Sequence, residues 1–365
     1  MTAARVWHDT ATTIINSGQI PVPITDLVIE LMQTIFTEEQ AVFVKDFKKP
    51  MRLEEVYQNY DLDNGEVDRM LHELQTIGAV TGLMSEKLGE PIYRVMPLLP
   101  GLFEYTLMRG ETAEREKRLA TLFDRLFGEM ADLVQAHYDD VVPIFEKVPP
   151  MTRVVPVNAS VETGDQIAMP SEDAAAIVDQ FSVVAVSTCY CRHEKDLLGK
   201  PCKVTDERKN CLLFGNTAQF AIDYKFGHEI TKDQAKEILL KAKDEGLVHK
   251  TFHRAQDIAK EEFAICNCCK CCCGTFELYY RGAAPAHHHT AYLAKVEEES
   301  CVGCEMCIEA CPMDALAMAG DVAVVDNERC IGCGVCTVAC ETDAISLERT
   351  GPRKAYIAPE RKSIS

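Results

Sequence analysis

The 18 cysteines of this 365-residue chain all lie in its second half, and their grouping strongly constrains what the chain can fold into. They form groups of four, six and eight, which are Cys189, Cys191, Cys202 and Cys211; Cys266, Cys268, Cys269, Cys271, Cys272 and Cys273; and Cys301, Cys304, Cys307, Cys311, Cys330, Cys333, Cys336 and Cys340. Neighbouring cysteines rarely bridge each other, because a disulfide requires a narrow separation of its Cα atoms. The grouping therefore predicts a cysteine-free front half followed by two metal-binding modules.

The N-terminus and the apolar segments indicate the compartment. The first 20 residues lack the cationic start and apolar region of a secretory signal. No apolar run approaches the length of a membrane span. We therefore expect a cytoplasmic protein without a membrane span, in which thiols stay reduced and clustered cysteines act as metal ligands. The formal net charge of −19 argues against nucleic acid as a partner.

The front half is predicted to be mainly helical, in an order typical of a winged-helix domain. A helix, a turn at residues 63–65, a second helix through Ile77 and a hairpin over "AVTGLMSEKLGEPIYRVMP" follow one another. We expect a winged-helix-like docking domain over residues 1–110. Residues 111–170 are predicted to be a helical connector that ends in a linker containing "NASVETGDQ".

The middle segment, residues 171–285, is predicted to be a small α/β cysteine-rich module. A helix over "EDAAAIVDQ" precedes a buried strand, "FSVVAVS", which runs into Cys189. A second helix, "TKDQAKEILLKAKDEGLV", precedes the strand "EEFAIC", which delivers Cys266. We expect the two strands to be neighbours in one sheet, so that their ends bring the first two cysteine groups together at a metal site.

A repeated motif marks the C-terminal module. Residues 301–311, CVGCEMCIEAC, and residues 330–340, CIGCGVCTVAC, share the pattern C-x2-C-x2-C-x3-C at an offset of 29. This is an internal duplication. Three thiolates on a tight loop can reach three corners of a cubane metal cluster. Gly303, Gly332 and Gly334 let the backbone turn close to such a cluster. The alternative interpretation of these cysteines is zinc knuckles, but zinc sites pair C-x2-C units and do not repeat C-x2-C-x2-C-x3-C.

These motifs closely resemble bacterial ferredoxins with two [4Fe-4S] clusters, and the resemblance covers residues 298–350. In that family three cysteines of a run hold one cluster and the fourth crosses to the other. The resemblance implies one cluster on Cys301, Cys304, Cys307 and Cys340, and a second on Cys330, Cys333, Cys336 and Cys311. Glu341 stands where the family pattern has a proline after the second run. We expect a double-cluster ferredoxin-like domain over residues 286–365.

The ten remaining cysteines are predicted metal ligands of the middle module. Ten thiolates suit one or two further iron–sulfur clusters. The alternatives are one cluster with surplus thiols in the packing, or zinc in one site. Side chains alternate in an extended segment, so Cys266 and Cys268, with Cys272 as a candidate third member, should face one site. The opposite site would then receive Cys269, Cys271 and Cys273, and the earlier group would complete both, namely Cys189, Cys191, Cys202 and Cys211.

Two polar segments allow more than one interpretation. Residues 191–211 carry six Lys or Arg against four Asp or Glu, which would either tune an anionic cluster or form a solvated basic loop. The "HHHT" segment at residues 287–290 offers imidazole ligands, but cysteine is already abundant there. We therefore expect "HHHT" to be a surface linker between modules.

The combination of "CYCR", a later cysteine pair, "CNCCKCCC" and a double ferredoxin resembles a family of long iron–sulfur proteins of anaerobic microbes, over residues 181–345. The resemblance implies electron transfer. We therefore expect an α+β multidomain electron-transfer protein, not catalytic alone, that serves a redox-enzyme or flavoprotein partner in a larger complex. The alternatives are a redox-sensing winged-helix transcription regulator, or a reductase with a catalytic middle cluster.

The candidate recognition helix, "NGEVDRMLHELQTIG", distinguishes the first two functions. It carries three carboxylates, at Glu66, Asp68 and Glu73, against one cation, at Arg69. Phosphates would repel such a face, and it offers little for contacting base edges. The sequence therefore favours electron transfer over DNA binding.

Overall fold

The structure is a computed structural model that describes residues 3–157, 173–253 and 262–362. The predicted linker "NASVETGDQ" lies outside the described residues. The chain divides into two compact units. The first unit comprises Met1–Met130, Ser187–Pro201 and Asn216–His228, and the second comprises Ala131–Val186, Cys202–Gly215 and Glu229–Ser365. The four domains expected from the sequence remain a prediction.

Helices and strands alternate along the described residues. The α-helices are α1 (Ala3–Asn16), α2 (Asp26–Ile35), α3 (Glu38–Val44), α4 (Leu53–Asn59), α5 (Asn64–Thr76), α6 (Phe103–Leu107), α7 (Glu114–Ala136), α8 (Tyr138–Lys147), α9 (Ala174–Asp179), α10 (Tyr190–Leu197), α11 (Gly215–Asp223), α12 (Lys232–Asp244), α13 (Gly274–Arg281), α14 (Met306–Ala310) and α15 (Val335–Ala339). The strands are β1 (Met51–Arg52), β2 (Val80–Ser85), β3 (Glu90–Val95), β4 (Thr152–Val155), β5 (Val184–Thr188), β6 (Lys209–Phe214), β7 (Gly227–Glu229), β8 (Val248–His253), β9 (Glu262–Cys268), β10 (Ala286–Val296), β11 (Leu316–Ala319), β12 (Val322–Val325) and β13 (Ile345–Ile357). Every helix in these ranges is too short or too polar to cross a bilayer.

The first unit contains the predicted succession of two helices and a hairpin. Asp63 begins α5 with reciprocal hydrogen bonds, in which its carboxylate accepts from the Glu66 backbone at 2.9 Å and the Glu66 side chain accepts in return. β2 and β3 form the hairpin, and β1 pairs with β3, so the three-stranded sheet has the order β1-β3-β2. The succession of elements is as predicted, and its assignment to a winged-helix domain remains a proposal.

A mixed sheet of eight strands has the order β13-β10-β4-β8-β9-β6-β5-β7. The two strands predicted around the cysteines, "FSVVAVS" and "EEFAIC", correspond to β5 and β9. The expectation that these strands are neighbours was wrong, because β6 lies between them. β6 carries Cys211 and pairs antiparallel with β9. Cys211 therefore enters the sheet beside the strand that bears Cys266 and Cys268.

The interpretation of "HHHT" as a surface linker was also wrong. These residues lie in β10, which pairs with β13 along its length and with β4 at His289. His288 and His289 are buried, and burial lowers the pKa of His288 well below its ordinary value and that of His289 to about 4. His288 Nδ1 lies 2.6 Å from the hydroxyl of Thr152. The histidines are therefore neutral interior residues of the sheet.

The second unit has a large apolar core between the sheet and the cysteine loops. Phe276, Tyr279, Val248 and Met313 belong to this core and are at most 3% exposed. Seven cysteines of two groups are buried in the same core, namely Cys268, Cys273, Cys307, Cys311, Cys330, Cys333 and Cys336. A second core packs α9 and α12 against the sheet. The cysteine-rich segments are thus part of the interior that stabilises this unit.

Candidate metal centres

The ferredoxin-type runs repeat in backbone conformation as well as in sequence. α14 and α15 occupy equivalent positions at the offset of 29 residues. Glu305 and Gly334 precede them with positive φ angles of 64° and 79°, and Asp314 and Asp343 follow with 50° and 52°. The duplication therefore extends to the turns on both sides of each short helix.

Two glycines in these runs are required by close backbone contacts. A Cβ at Gly332 would lie 2.2 Å from the carbonyl oxygen of Tyr292, and one at Gly303 would lie 2.8 Å from that of Asp321. Both residues also have positive φ angles, which side chains other than glycine rarely adopt. The glycines thus allow one cysteine loop to pack directly against β10 and the other against the turn between β11 and β12.

The first ferredoxin set lines one cavity, together with Gly303, Met318 and Ile345. Its cysteines are Cys301, Cys304, Cys307 and Cys340. Burial raises the pKa of Cys307, and the other three thiols of the set add to the shift. Backbone hydrogen bonds from Ala323 and Gly303 lower the pKa of Cys301, which favours its thiolate.

The second ferredoxin set is more deeply buried and consists of Cys311, Cys330, Cys333 and Cys336. Burial raises the pKa of Cys333 to about 12, with Cys311 and Cys330 close enough to contribute. The Ala315 backbone donates to Cys311 Sγ at 3.3 Å, and the Ala294 backbone donates to Cys330 Sγ at 3.5 Å. The division into these two sets, with three cysteines from one run and one from the other, is the one that the ferredoxin resemblance implies, and it remains a prediction.

A third set of cysteines, the strand-end set, consists of Cys211, Cys266, Cys268 and Cys273. Cys266 and Cys268 lie on the same face of β9, and Cys273 immediately precedes α13. A hydrogen bond with Cys211 is the main factor that raises the pKa of Cys266 well above its ordinary value. Hydrogen bonds with Cys266 and Cys273, together with burial, raise the pKa of Cys268. The four thiols thus form a connected group, in which Cys211, Cys268 and Cys273 are buried and Cys266 is partly exposed.

A buried lysine lies beside the strand-end set. Lys250 is opposite Cys266 in the β8–β9 pairing and has no exposed surface. Its Nζ donates to Thr275 Oγ1 at 2.8 Å and lies 3.4 Å from the ring centroid of Phe276, and Thr275 Oγ1 is 3.2 Å from Cys273 Sγ. The ammonium also lowers the pKa of Cys268 against the dominant upward effects.

We did not predict Lys250 from the sequence. Its signal was a lysine in the run "VHKTFH", all of which except Phe252 is buried in β8. A lysine is almost never fully buried without a partner, so its presence in a buried strand indicates an anionic neighbour.

The opposite face of β9 carries a hydrogen-bonded polar group. Asn267, between Cys266 and Cys268, accepts through Oδ1 from His249 Nδ1 at 2.6 Å, and its Nδ2 donates to the Asn210 carbonyl at 2.7 Å. Burial lowers the pKa of His249 to about 4, so the ring is neutral near pH 7 and Nδ1 is the donor to the amide oxygen. These bonds join β8, β9 and β6 at the level of the cysteines.

A fourth set, the compact set, consists of Cys202, Cys269, Cys271 and Cys272. All four Sγ atoms lie within 4.8 Å of one another. Cys202 Sγ is 3.6 Å from that of Cys269 and 3.7 Å from that of Cys271, and the Sγ atoms of Cys271 and Cys272 are 3.5 Å apart. Hydrogen bonds within the set and from the Lys203 backbone lower the pKa of Cys271. The arrangement is that of four ligands around one centre.

The side chains of residues 266–273 were expected to face two sites alternately, and this holds only at the beginning of the run. Cys266 and Cys268 share a face, but Cys272 joins the compact set and Cys273 the strand-end set, the reverse of the prediction for these two. β9 ends at Cys268 and a turn follows. Alternation requires extended backbone, and the turn removes it.

Cys189 and Cys191 belong to the first unit, unlike the other predicted ligands of the middle module. Both are buried, and α10 begins between them. Arg192 and Glu194 in this helix have no exposed surface, and Lys195 Nζ lies 3.1 Å from the Glu194 carboxylate. The solvated-loop interpretation was therefore wrong for α10, which holds buried charges.

Comparison with known proteins identifies the C-terminal module. The family model of the 4Fe-4S dicluster domain matches residues 281–345, which is 65 of 365 residues. No curated protein and no solved structure matches the chain. The match supports an iron–sulfur domain at the C-terminus and covers about one fifth of the chain.

Proposed function

We propose that the chain is an electron-transfer protein that relays electrons through three [4Fe-4S] clusters to or from a partner oxidoreductase in anaerobic metabolism. The dicluster match and the concentration of cysteines support an iron–sulfur electron carrier. The main support for the relay is the shared core of the second unit, which contains cysteines of both the ferredoxin loops and the strand-end set. Single-electron transfer through a protein requires clusters that are buried and close to one another.

The two ferredoxin sets suit the clusters that the family implies. Their glycines let the backbone approach closely, and amide N–H groups donate to sulfur at Cys311 and Cys330. Such bonds favour the thiolate form that iron requires. A [4Fe-4S] cluster supplies reversible one-electron chemistry when bound, and the chain supplies the ligands, the burial and the hydrogen bonds that set its potential.

The strand-end set suits a third cluster. Its four thiols come from β6, β9 and the start of α13, and the interior cation of Lys250 lies beside them. A bound cluster with its thiolates is anionic, and Lys250, which has no exposed surface, would offset that charge. Cys189 and Cys191 stay predicted ligands, and iron analysis and EPR of a Cys191→Ser variant would test them separately.

A polar bridge connects the cysteine turn to the ferredoxin loops. Lys270 pairs with the Asp314 carboxylate, and Tyr280 donates to Asp314 at 3.0 Å and to the Pro312 carbonyl at 2.6 Å. Pro312 directly follows Cys311, a ligand candidate of the second ferredoxin cluster, and Asp314 lies three residues after it. These contacts hold the loop of Cys311 against the segment that carries the strand-end cysteines, which supports a direct route for electrons.

The first unit is proposed to dock the redox partner, a redox enzyme or flavoprotein. On α5, Glu66, Asp68 and Arg69 are exposed, and Arg69 is already paired with Glu73 at 2.8 Å and with Glu39 at 2.5 Å. Its one cation is thus neutralised by carboxylates, and the face presents net negative charge. Such a face fits a basic surface on a protein partner.

A redox-sensing transcription regulator is the second candidate, because the first unit contains two helices followed by a hairpin. The charges of α5 argue against it. We expect no sequence-specific protection of duplex DNA in footprinting with either the oxidised or the reduced protein. A salt-sensitive footprint at a defined sequence would contradict electron transfer as the sole function and favour the regulator.

Anaerobic iron and sulfide analysis with EPR tests the proposal. Three clusters require about twelve iron and twelve sulfide per chain, against about eight for a double ferredoxin alone. The reduced protein should show three interacting paramagnets. A fully reconstituted protein with only the eight irons of the ferredoxin sets would refute the third cluster. Reduced protein that passes no electrons to any flavin or viologen acceptor would refute the relay.

A further inference from the structure

The sulfur spacing of the compact set distinguishes a single metal ion from a cluster. A tetrahedral metal ion with metal–sulfur bonds of about 2.3 Å holds its sulfurs about 3.8 Å apart. Three of the Sγ–Sγ distances in the set are 3.5, 3.6 and 3.7 Å, and all of them are at most 4.8 Å. In a cubane cluster each thiolate binds a different iron and points away from the centre, so its thiolates lie further apart.

The other cysteine sets do not share this spacing. Among the described residues, the compact set is the one group in which three or more cysteine, histidine or carboxylate ligand atoms lie within 4.8 Å of one another. Both ferredoxin sets and the strand-end set lie within the described residues and are more open. The same chain therefore contains one site of single-ion size beside three wider sets.

The surroundings of the compact set also fit a closed metal site. Cys269 and Cys272 pack against Ala242 and Leu247 in a small apolar cluster of their own, separate from the large core. The Val204 backbone donates to Cys202 Sγ at 3.5 Å. Apolar packing and amide donors around thiolates are the supports that structural metal sites require.

Solvent reaches the set from one side, which gives an ion a path of entry. Cys271 is exposed, and Cys202 lines an open cleft of about 480 Å³. The cleft is otherwise formed by Lys203, Val204, Thr205, Asp206, Glu207, Lys241 and Glu245. The site thus lies at the surface of the second unit, outside the core that contains the proposed relay.

We propose that Cys202, Cys269, Cys271 and Cys272 bind one tetrahedral Zn²⁺ ion, which has a structural role and takes no part in the electron relay. Four thiolates complete the tetrahedron and leave no open position for catalysis. Zinc is redox-inert, so it would not compete with the clusters for electrons. The ion ties the segment of Cys202 to the turn between β9 and α13. It thereby fixes the ends of that turn, which carry Cys268 and Cys273.

Metal analysis of the intact protein tests this assignment. The protein is purified anaerobically from cells supplied with both metals, and zinc and iron are counted by mass spectrometry. We expect about one zinc per chain, with zinc-edge X-ray absorption showing four sulfur neighbours near 2.3 Å. The absorption measurement needs no variant. Absence of zinc, with additional iron and sulfide instead, would overturn the proposal. A mononuclear ferric tetrathiolate would overturn the assignment to zinc.

Two matched serine variants separate this site from the relay. Cys271→Ser changes an exposed ligand of the compact set, and we expect zinc to fall at least tenfold in competition with a chelator while iron and the EPR signals persist. Cys268→Ser is the control and should lose iron but retain zinc. Loss of iron with unchanged zinc in Cys271→Ser would overturn the proposal. Absence of the third cluster's EPR signal in the unmodified protein would instead count against the proposed function.

Discussion

The ferredoxin loops and the middle cysteine run contain similar numbers of thiols but organise them differently. In the ferredoxin loops, each predicted ligand set takes three cysteines from one short run and a fourth from its repeat, and the turns beside the two short helices have equivalent backbone conformations. In residues 266–273, six cysteines divide between two sets, which are completed by Cys211 from β6 and Cys202 from a loop. One region is therefore a local motif, and the other is assembled by the tertiary fold.

The comparison shows why cysteine density alone does not define a metal site. A run that stays in one conformation sends its side chains in predictable directions. The run of residues 266–273 begins in a strand and ends just before a helix, so it changes direction within the five residues between β9 and α13. Two sites of different size result, a buried one next to Lys250 and a compact one at the surface.

The largest expected effect comes from removing a strand-end ligand. Cys268→Ser should eliminate the third cluster, and with it about four of about twelve irons, because a buried serine hydroxyl is a poor substitute for a thiolate. The EPR signals of the ferredoxin clusters should survive, since their ligands all come from residues 301–340. Iron analysis and EPR of the anaerobic variant measure both outcomes.

The same variant tests the relay. Electron transfer between the two ends of the relay, the ferredoxin clusters and the strand-end cluster, should fall to the background rate in Cys268→Ser. Stopped-flow oxidation of the reduced protein by its partner measures this rate. If the ferredoxin signals also disappeared, the two regions would not be independent sites. If transfer continued undiminished, the strand-end set would not belong to the relay.

A smaller effect is expected from the polar group behind the strand-end set. Asn267→Ala leaves His249 and the Asn210 carbonyl without their buried partner, which should lower the free energy of unfolding by about 2 kcal/mol. The exposed Asn327 provides the control, since Asn327→Ala should change stability by less than about 0.5 kcal/mol. Anaerobic denaturant titration followed by circular dichroism measures both. Equal effects in the two variants would mean that Asn267 does not brace the site.

The smallest effect is expected from replacing Lys250. The charge of this buried lysine lies beside the strand-end set and distinguishes that set from the ferredoxin sets. Lys250→Met removes a buried cation and keeps the apolar stem, so the reduced cluster loses stabilisation and its midpoint potential should fall. A unit charge a few ångströms away in the protein interior is worth roughly 1–2 kcal/mol after partial screening, or about 40–90 mV for one electron.

An EPR-monitored redox titration measures this shift. Lys209 begins β6 close to Cys211 but is exposed, so Lys209→Met is the matched control and should move the potential little, because solvent screens its charge. Equal shifts in both variants would show that the position of the cation is unimportant. A shift in the ferredoxin signals instead would place Lys250 nearer to those clusters than to the strand-end set.

Much of the local structure followed from the sequence. The hairpin of β2 and β3, the helix α12 with its Thr231 cap and the strand β9 were all predicted, because periodicity and capping residues act within a few positions. The burial of the histidines in β10 and of the charged residues in α10 was not predicted. Polar residues usually lie at the surface, and only long-range pairing of strands and helices shows where they are buried.

By itself, the sequence determined the duplicated ferredoxin-type loops, because their spacing, their glycines and their repeat are all local properties of the chain. Only the tertiary structure decided how the middle cysteines divide. It inserted β6 between β5 and β9, placed Lys250 opposite Cys266, and turned the chain after Cys268 so that Cys272 and Cys273 face different sites. The physical reason is that a metal site is defined by distances between ligand atoms. For ligands some 70 residues apart, such as Cys202 and Cys271, the fold alone sets those distances.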